Sequence, residues 1–512
     1  MEWGKDIAAC NMHFLPLISR AIEENGAKLI SVNPLATEMA LKADLFIQPY
    51  PGTDGALALG MMNVIIHHGA HDIEFIDRYT VGFEKLKDRV KDYPLEKVER
   101  ITGVPARKIE EFALTYAKNK PSSIWLGMGL QHHTNGAHIF HAIACLAAIT
   151  GNVGISGGGI NPTNRLGSDS VVESSLKLES MNKPKKTIPI VQFAECILSQ
   201  KPHPIKAVFV WAANPVTQNP DTNKTIRALK SKELDFIVVI DPFMTDTAKF
   251  ADIILPGCSF LEQIDVGPSY WHFYVQMQQK VIEPLPGTKT DFEIFRELAK
   301  RLGIEKYFDK TEEEYAFESI KKGIPATDGI TLEKLRNGPF RFNLPNVMFE
   351  DKKFPTPSGK IELFSERKAS MGFDPLPIYL EPEEGPAKTP ALYKKYPLRF
   401  ISYHSKFSMH SMDYKNPLIR EIHPEPTLEI HPADAKKRGL KRGDLVIVHN
   451  DRGSVKIKVN VSRRVKEGVV AMEQGWSPEK GCANMLTADR LTDLGYSPTY
   501  FTCLVDVKRM EQ

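Results

Sequence analysis

The stretch Lys28–Gly55, KLISVNPLATEMALKADLFIQPYPGTDG, indicates the fold class of this chain. Lys28–Val32 is a short apolar segment typical of a buried strand, and Leu45–Ile47 is a second one. Residues 36–43 between them have helical spacing, and the turn after the second strand leads into an apolar helix over 56–68. Strands that alternate with helices in this way predict a parallel sheet with helices packed on its faces.

The same alternation continues on both sides of this stretch. It predicts a strand over Ser122–Leu126 and further helices over residues 12–25, 72–80, 83–90, 94–101, 105–118 and 136–149. A second α/β unit is predicted by helices over 222–231 and 291–302 and by the strands Ala207–Trp211, Phe236–Ile240 and Asp252–Leu255. We therefore expect one α/β domain over 1–165 and a second α/β domain over 166–375.

The last part of the chain has a β pattern. Residues 375–397 are rich in proline and charge, which is typical of a linker. Asp444–His449 and Ser454–Val461 both alternate apolar and polar residues, and Asn450–Gly453 between them is a hairpin signal. Residues 376–512 are therefore predicted to be a linker followed by a β-barrel domain.

Composition excludes several classes of protein. Apolar residues make up 42% of the 512 residues and charged residues 25%, which is typical of a globular chain rather than a disordered, collagen-like or disulfide-scaffold one. The net charge of only +3 gives no reason to expect nucleic acid or an anionic membrane as a partner. The longest apolar runs, 142–149 and 207–213, are much shorter than the ~20 residues that a spanning helix needs. We therefore expect no transmembrane segment. The sequence also shows no signal-peptide pattern at its start, so we expect a cytoplasmic location.

Cysteines and histidines give no clear metal or nucleophile motif. No two of the six cysteines are closer than 21 residues, whereas zinc and iron–sulfur sites usually have closely spaced ligands, so we expect reduced, mostly buried thiols. His67, His68 and His71 lie together at a predicted helix end, where a structural role is favoured. His132 and His133 remain open between a structural role and contact with a ligand. No Gly-x-Ser-x-Gly motif supports a hydrolase.

Glycine and polar residues follow the predicted strands at six places. One Asn-Pro or Asp-Pro after a strand is usually turn chemistry, but ligands of parallel sheets bind at the carboxyl ends of strands. Six such places in two α/β units favour a large nucleotide-like ligand. They are Trp3-Gly4, Asn33-Pro34, Gly52-Thr53-Asp54, Gly127–Gln131, Asn214-Pro215 and Asp241-Pro242.

The chemistry of these residues suits a guanine dinucleotide. The carboxylates of Asp54 and Asp241, one in each unit, can each accept the two hydrogen bonds that the N1–H and N2–H2 edge of guanine donates. Nearby glycines allow backbone N–H groups to approach a pyrophosphate. The Gly-x-Gly-x-x-Gly fingerprint and the Gly-x4-Gly-Lys-Ser/Thr loop are both missing, which argues against a standard NAD site and a P-loop nucleotidase.

With these motifs the chain resembles the bis-molybdopterin guanine dinucleotide oxidoreductases, the dimethyl sulfoxide reductase family. The resemblance covers nearly the whole sequence. It is carried by Gly26–Thr37, Ala43-Asp44, Pro51–Leu57, Thr102–Ala106, Gly127–Gln131, Leu146–Gly154, Trp211–Pro215, Val239–Thr247, Thr356–Glu362, Tyr403-His404-Ser405 and Asn484–Thr487.

The resemblance implies a fold of two parallel-sheet α/β units plus a C-terminal double-psi β-barrel domain. It implies that 1–165 is an α/β dinucleotide-binding domain, that the second α/β domain over 166–375 lacks its first part, and that 376–512 is a linker and a molybdopterin dinucleotide-binding β-barrel domain. It implies bis-molybdopterin guanine dinucleotide as the cofactor, with molybdenum or tungsten held by pterin sulfur and no metal ligand expected from this chain. The implied activity is a two-electron oxidation or reduction of a small-molecule substrate. The cofactor carries the chemistry, and the protein orients it.

The resemblance also assigns cofactor-binding residues. One dinucleotide would be bound by Asn33, Gly52, Asp54, Met128, Gly129 and Gln131, with Trp3 and Gly4 beside it, and the other by Asn214, Asp241 and Thr245. Tyr403, His404, Ser405 and Asn484 would contact the pterins from the barrel. Two places depart from the family pattern: Trp3-Gly4-Lys5-Asp6 stands where Trp-Gly-x-Asn-Pro is usual, and Asn33-Pro34 where Asp-Pro is commoner.

A larger departure is an absence. Family members usually begin with a cysteine cluster that binds an iron–sulfur centre, followed by a segment that carries the residue ligating the metal. Both would precede Trp3, so we expect an N-terminally truncated or split catalytic subunit with the iron–sulfur cluster outside this chain and the catalytic residue unknown. The expected partner is an electron-transfer subunit or an N-terminal partner segment. The alternatives are a cofactor-free structural or interaction subunit and non-redox metal-pterin chemistry such as hydration.

Overall fold

The first α/β body is built on short strands. The computed structural model describes residues 1–163, 167, 169–171, 186–412 and 415–510 of the chain. The predicted domain boundary between residues 165 and 166 lies outside these residues. Residues 1–163 contain β1 (Glu2–Trp3), β2 (Ile30–Val32), β3 (Leu45–Ile47), β4 (Thr80–Val81), β5 (Ser123–Leu126) and β6 (Gly159–Asn161).

Nine helices lie between these strands in residues 1–163, and they follow the predicted helical pattern closely. They are α1 (Ile7–Cys10), α2 (Leu15–Asn25), α3 (Glu38–Lys42), α4 (Asp54–His67), α5 (Ile73–Tyr79), α6 (Phe83–Val90), α7 (Leu95–Thr102), α8 (Ala106–Lys118) and α9 (Gly136–Ile149).

Five of the strands form one sheet in the order β3-β2-β1-β5-β6, and every neighbouring pair is parallel. The parallel sheet predicted from the β-α-β-α pattern is therefore confirmed. β1 is only two residues long, yet it lies in the middle of the sheet between β2 and β5. Its Trp3 side chain is fully buried in the core of this body.

Helix α4 is the central helix of this core. It is apolar on all sides, as expected of a helix that other helices surround, and it packs against α6, α7, α8 and α9. Gly60 allows α7 to approach closely, because a Cβ at this position would lie 2.8 Å from a methyl group of Val98. The N-terminus of α4 is fixed in space by this packing, and Asp54 is its first residue.

The described residues of the second α/β body form two sheets. β7 (Ala207–Trp211), β8 (Phe236–Asp241) and β9 (Ile253–Pro256) are parallel, and β10 (Asp265–Pro268), β11 (Tyr274–Gln278) and β12 (Phe340–Arg341) are antiparallel. β13 (Ile361–Glu362) pairs with β4 of the first body. The helices are α10 (Phe193–Ser199), α11 (Pro215–Gln218), α12 (Thr222–Leu229), α13 (Asp291–Arg301), α14 (Glu312–Glu318), α15 (Leu332–Asn337) and α16 (Glu366–Ser370).

The C-terminal body is a closed six-stranded barrel with the strand order β14-β18-β15-β17-β16-β19. Two of its pairs, β14 with β18 and β15 with β17, are parallel, and the others are antiparallel. The predicted barrel and the predicted hairpin of β16 and β17 are confirmed. The elements are α17 (Pro390–Lys395), β14 (Leu398–Tyr403), α18 (Pro417–Ile422), β15 (Thr427–Ile430), α19 (Pro432–Lys437), β16 (Leu445–His449), β17 (Ser454–Val461), β18 (Val469–Glu473) and β19 (Leu504–Arg509).

The segment 375–397 connects the bodies by specific contacts. Its Glu384 carboxylate is buried and accepts hydrogen bonds from Arg452 (2.7 and 3.1 Å), from Arg490 (3.0 Å) and from the Leu504 N–H (2.9 Å). The Asn135 amide of the first body donates to the Leu380 carbonyl oxygen at 2.6 Å. These bonds fix the barrel against the first body. None of the helices in the described ranges is long and apolar enough to cross a membrane.

Candidate functional site

A cavity of about 480 Å³ lies where the first body, the second body and the barrel meet. The carboxyl ends of β1, β2 and β5 form one wall, which is the position expected for a ligand of a parallel sheet. The barrel contributes the end of β14 and residues near 484 and 500, and Trp271 of the second body completes the wall. The volume is in the range typical of ligand pockets, roughly 300–1,000 Å³.

The cavity gathers residues that are far apart in the sequence. Of the residues predicted to bind cofactor, eight line it directly, and they come from the first body and from the barrel. These are Gly4, Asn33, Asp54, Met128, Gly129, Tyr403, His404 and Asn484.

Four other predicted residues lie directly behind this lining. The Trp3 indole N–H donates to Asp54 Oδ1 at 2.8 Å. A Cβ on Gly52 would lie 3.0 Å from His133 Nδ1. The Gln131 amide donates to Ser497 Oγ at 2.8 Å, and Ser405 Oγ accepts from the Phe407 N–H. Trp3 and Gly52 therefore lie against lining residues, whereas Gln131 and Ser405 bond to residues outside the lining.

The remaining three predicted residues, Asn214, Asp241 and Thr245, are not among the lining residues. They follow β7 and β8 at the carboxyl edge of the second sheet, where Asp241 Oδ1 accepts from the Phe243 N–H at 2.8 Å. The Asn214 amide donates to Ser411 Oγ of the barrel body at 3.2 Å. The structure therefore forms two groups of candidate residues, one in the cavity and one on the neighbouring sheet edge.

Asp54 has the most unusual environment among the lining residues. Its side chain is almost fully buried, with 3% of the residue exposed. Burial raises the pKa of this carboxyl from 3.8 to about 6, and the hydrogen bond from Trp3 only partly opposes the rise. A buried carboxylate with one protein side-chain donor retains capacity for further donors. Burial also raises the pKa of Asp241 on the other sheet edge.

Two glycines bring the strand ends together at the cavity. A Cβ on Gly127 would lie 1.8 Å from the Gly4 carbonyl oxygen, so only glycine fits there. Gly4 itself has φ +60°, and a Cβ on it would lie 2.6 Å from Leu130. The backbones after β1 and β5 therefore approach more closely than any side chain would allow, which leaves space in front of them for a ligand.

The wall contains polar atoms that the protein does not satisfy. His133 Nδ1 and Gln218 Nε2 are buried and have no hydrogen-bond partner among the described residues. Burial lowers the pKa of His133 to about 3, so its imidazole is neutral at physiological pH. Buried polar atoms without partners are rare in folded proteins, and they fit a ligand that supplies the missing bonds.

The barrel side of the cavity contains one histidine that the sequence did not predict, His410. His410 lines the cavity, and its ring centre is 5.1 Å from that of the predicted residue His404. Gln474 Nε2 lies 3.0 Å from His404 Nδ1. Burial, together with smaller contributions from the neighbouring His410 and His132, lowers the pKa of His404 to about 4. Their proximity depends on the fold of the loop after β14, and no local sequence pattern reveals it.

The open question about the other histidines is resolved in part. His132 and His133 both line the cavity, and the His132 Nδ1 atom lies 2.9 Å from the Pro498 carbonyl oxygen. His67, His68 and His71 are not among the lining residues, and His68 Nε2 lies 3.2 Å from Glu110 Oε1. In the described part of the chain, no three His, Cys, Asp or Glu side chains are grouped so that they could hold a metal ion.

Comparison with known proteins gives two family-model matches. The model "Molybdopterin oxidoreductase" matches residues 2–301, and the model "Molydopterin dinucleotide binding domain" matches residues 398–504. The first match includes the cavity wall formed by the parallel sheet, and the second includes most of the barrel.

Individual relatives are similar over nearly the full chain. A probable oxidoreductase of Bacillus subtilis, YoaE, is 34% identical over 99% of this chain and 74% of its own length. The dimethyl sulfoxide reductase DmsA of Escherichia coli is 33% identical over 96% of this chain and 69% of its own length. The solved structure of acetylene hydratase from Pelobacter acetylenicus matches with a TM-score of 0.81 and 26% identity, over 99% of this chain and 77% of that one.

Proposed function

Because this chain belongs to the molybdopterin oxidoreductase family, we propose that its cavity binds bis-molybdopterin guanine dinucleotide for the two-electron oxidation or reduction of a small substrate. Membership of the family makes the chain a molybdopterin-dependent catalytic subunit. One observation carries the finer proposal: residues predicted from both ends of the sequence line a single cavity. When bound, the cofactor supplies the two-electron redox chemistry, and the protein supplies binding and orientation.

The cavity wall fits a large polar ligand. Gly4 and Gly127 line the cavity at the strand ends without a side chain that could occupy it. His133 and Gln218 also line the cavity, and His133 Nδ1 and Gln218 Nε2 have no hydrogen-bond partner among the described residues. The cavity alone is small for two dinucleotides, so we propose that part of the cofactor, including the guanine assigned to Asp241, extends out of it.

Asp54 and Asp241 are the proposed guanine contacts. Asp54 lies at the cavity wall, and Asp241 is half-buried on the edge of the second sheet, so a ligand can reach both carboxyls. A guanine that donates two hydrogen bonds to a carboxylate would stabilise its charged form. This would offset the cost of burying the Asp54 charge.

The two-electron reaction requires a redox partner, since the electrons must leave or reach the cofactor. We propose an electron-transfer subunit, or a separate segment that holds an iron–sulfur cluster, for this role. The metal is proposed to be molybdenum or tungsten. All six cysteines are unpaired, which supports the proposed cytoplasmic location because disulfides are rare in that compartment.

Hydration without net electron transfer is the second candidate activity, and the structural similarity to acetylene hydratase supports it. A dye-linked assay distinguishes the two candidates, because only the redox reaction consumes or releases electrons. A cofactor-free structural role is not favoured, because the buried carboxyl of Asp54 would then destabilise the fold without binding a ligand.

Metal, pterin and nucleotide analysis of the purified chain tests the proposal. We expect molybdenum or tungsten, oxidised pterin fluorescence and released guanine nucleotide, either in the chain alone or after co-expression with a partner segment. The variant pair Asp54→Ala and Asp241→Ala should lower the nucleotide content, whereas the exposed Asp77→Ala should not. Preparations that contain neither metal nor guanine nucleotide would overturn the proposal, and unchanged nucleotide in the double variant would remove the guanine assignment.

A further inference from the structure

Lys5 is a buried cation in the cavity wall. It directly follows Gly4 after β1, it lines the cavity, and only 6% of it is exposed. Buried lysines are normally paired with an acid, because removing an unpaired charge from water is costly. In the described part of the chain, no carboxylate lies within 4.0 Å of the Lys5 ammonium.

The ammonium is instead held by an aromatic ring. Lys5 Nζ lies 3.8 Å from the ring centre of Trp271, which belongs to the loop between β10 and β11. That loop position is fixed, since the Trp271 N–H donates to Ser269 Oγ at 3.1 Å and its ring packs 5.8 Å from that of Trp125. A cation–π contact orients an ammonium group but leaves its charge in place.

Neighbouring acidic groups form bonds elsewhere. The Glu2 carboxylate accepts from Ser31 Oγ at 2.7 Å and from the Ile7 N–H at 3.3 Å, and burial raises its pKa to about 7. Asp6 Oδ1 accepts from the Ala8 N–H at 3.1 Å. The Cys10 thiol donates to the Asp6 carbonyl oxygen. Lys5 is therefore a cation at the cavity wall with no direct ion-pair partner among the described residues. Burial lowers its pKa, and Cys10 and Glu2 act on it only through longer-range electrostatics.

We propose that the Lys5 ammonium binds a compact oxyanion, a phosphate or a carboxylate, that enters this cavity. Lysine suits this role as a point charge with three donors. The inference rests on the proposed function, because it takes the cavity to be the ligand site. The oxyanion has two possible sources, a phosphate group of the bound cofactor and an anionic substrate.

The test compares Lys5→Met with Lys85→Met in the purified full chain. Lys85 is a matched control, since its Nζ also lies over a ring (Phe364, 3.6 Å) but it is exposed and is not among the lining residues. Two quantities are measured for each variant: the pterin and guanine nucleotide content per chain, and the Kd of inorganic phosphate for the cofactor-free form. Lys5→Arg keeps the charge and should retain both properties, which separates lost charge from misfolding.

If the oxyanion is a phosphate group of the cofactor, the pterin and nucleotide content of Lys5→Met should fall at least threefold, and that of Lys85→Met should not change. If the oxyanion belongs to an anionic substrate, the pterin and nucleotide content of Lys5→Met should not change. Its Kd for inorganic phosphate should then rise at least tenfold, a loss of binding free energy of about 1.4 kcal/mol. Unchanged content together with unchanged or undetectable phosphate binding would overturn the proposal. If the wild type holds no pterin or nucleotide at all, the proposed function fails, while the phosphate measurement still decides the role of Lys5.

Discussion

Replacement of Asp54 by asparagine should make the cofactor-free protein more stable and less able to retain nucleotide. Asp54 is buried at the start of α4, and its Oδ1 accepts the Trp3 indole N–H at 2.8 Å. Asparagine has the same shape and keeps an acceptor for Trp3, but it carries no charge. The substitution therefore removes the cost of a buried carboxylate and little else.

The size of this effect follows from the pKa of Asp54. Burial raises it from 3.8 to about 6, and each pKa unit corresponds to about 1.4 kcal/mol, so the cost is about 3 kcal/mol. Below pH ~4 the carboxyl is protonated in the folded and unfolded states, and the cost is absent. As the pH rises from ~4 to ~6 only the unfolded chain ionises, so the wild type loses stability until the cost is complete above pH ~6.

Thermal unfolding of the cofactor-free proteins between pH 4 and pH 8 measures this difference. Asp54→Asn should match the wild type near pH 4 and exceed its Tm at pH 7.5 by about 6–12 °C, taking 2–4 °C per kcal/mol for a domain of this size. The exposed Asp77→Asn is the control and should show no such divergence.

Either of two results would refute the reasoning. An Asp54→Asn protein no more stable than the wild type at pH 7.5 would show that burial does not penalise this carboxylate. A more stable variant that keeps its full nucleotide content would show that Asp54 does not contact guanine. A gain in stability together with a loss of nucleotide is the outcome that supports both parts of the argument.

Three further substitutions test other parts of the structure. Glu384→Gln should lower the free energy of unfolding by about 3–5 kcal/mol, because it removes the buried carboxylate that pairs with the half-buried Arg452. Glu383→Gln, whose half-exposed side chain pairs with Lys388, should cost less than about 1 kcal/mol. Equal shifts in the urea midpoints of the two variants would contradict this. Gly127→Ala should lower the free energy of unfolding by about 1–3 kcal/mol and lower the pterin content, because its Cβ would lie 1.8 Å from a carbonyl oxygen. Gly267→Ala is the control and should have no effect, since its Cβ would enter open space. Burial lowers the pKa of His141 to about 3, so stability should fall as the pH drops from about 6.5 to about 3. His141→Gln should reduce this dependence of the unfolding free energy on pH. An unchanged dependence would show that His141 does not cause it.

Local patterns predicted most of the architecture. The helix over Gly136–Ile149 and the hairpin of β16 and β17 were readable because periodicity and turn residues act over a few positions. Residues that directly follow a predicted strand could also be placed at the carboxyl edge of the sheet. The parallel sheet brings those strand ends together whatever the rest of the chain does.

Long-range contacts could not be read in this way. The bond between Trp3 and Asp54 and the pairing of Lys5 with Trp271 join residues 51 and 266 positions apart in the sequence. Local spacing also does not determine which sheet edges face the same cavity. Asp54 and Asp241 could be assigned to different α/β units from the sequence, but it could not be predicted that only Asp54 lines this cavity. His410 was missed for a related reason, since its loop folds back to the cavity after β14.

The central place of β1 has a consequence for the order of folding. Glu2 pairs with Ser31 on one side and with Trp125 on the other. During synthesis or refolding, the short loop to β2 closes at a lower entropy cost than the fourfold longer one to β5, by about 1.2 kcal/mol. β1 is therefore an open sheet edge until β5 docks against it. Such an edge can pair with other chains, so aggregation should compete with folding mainly before residues 123–126 join the sheet.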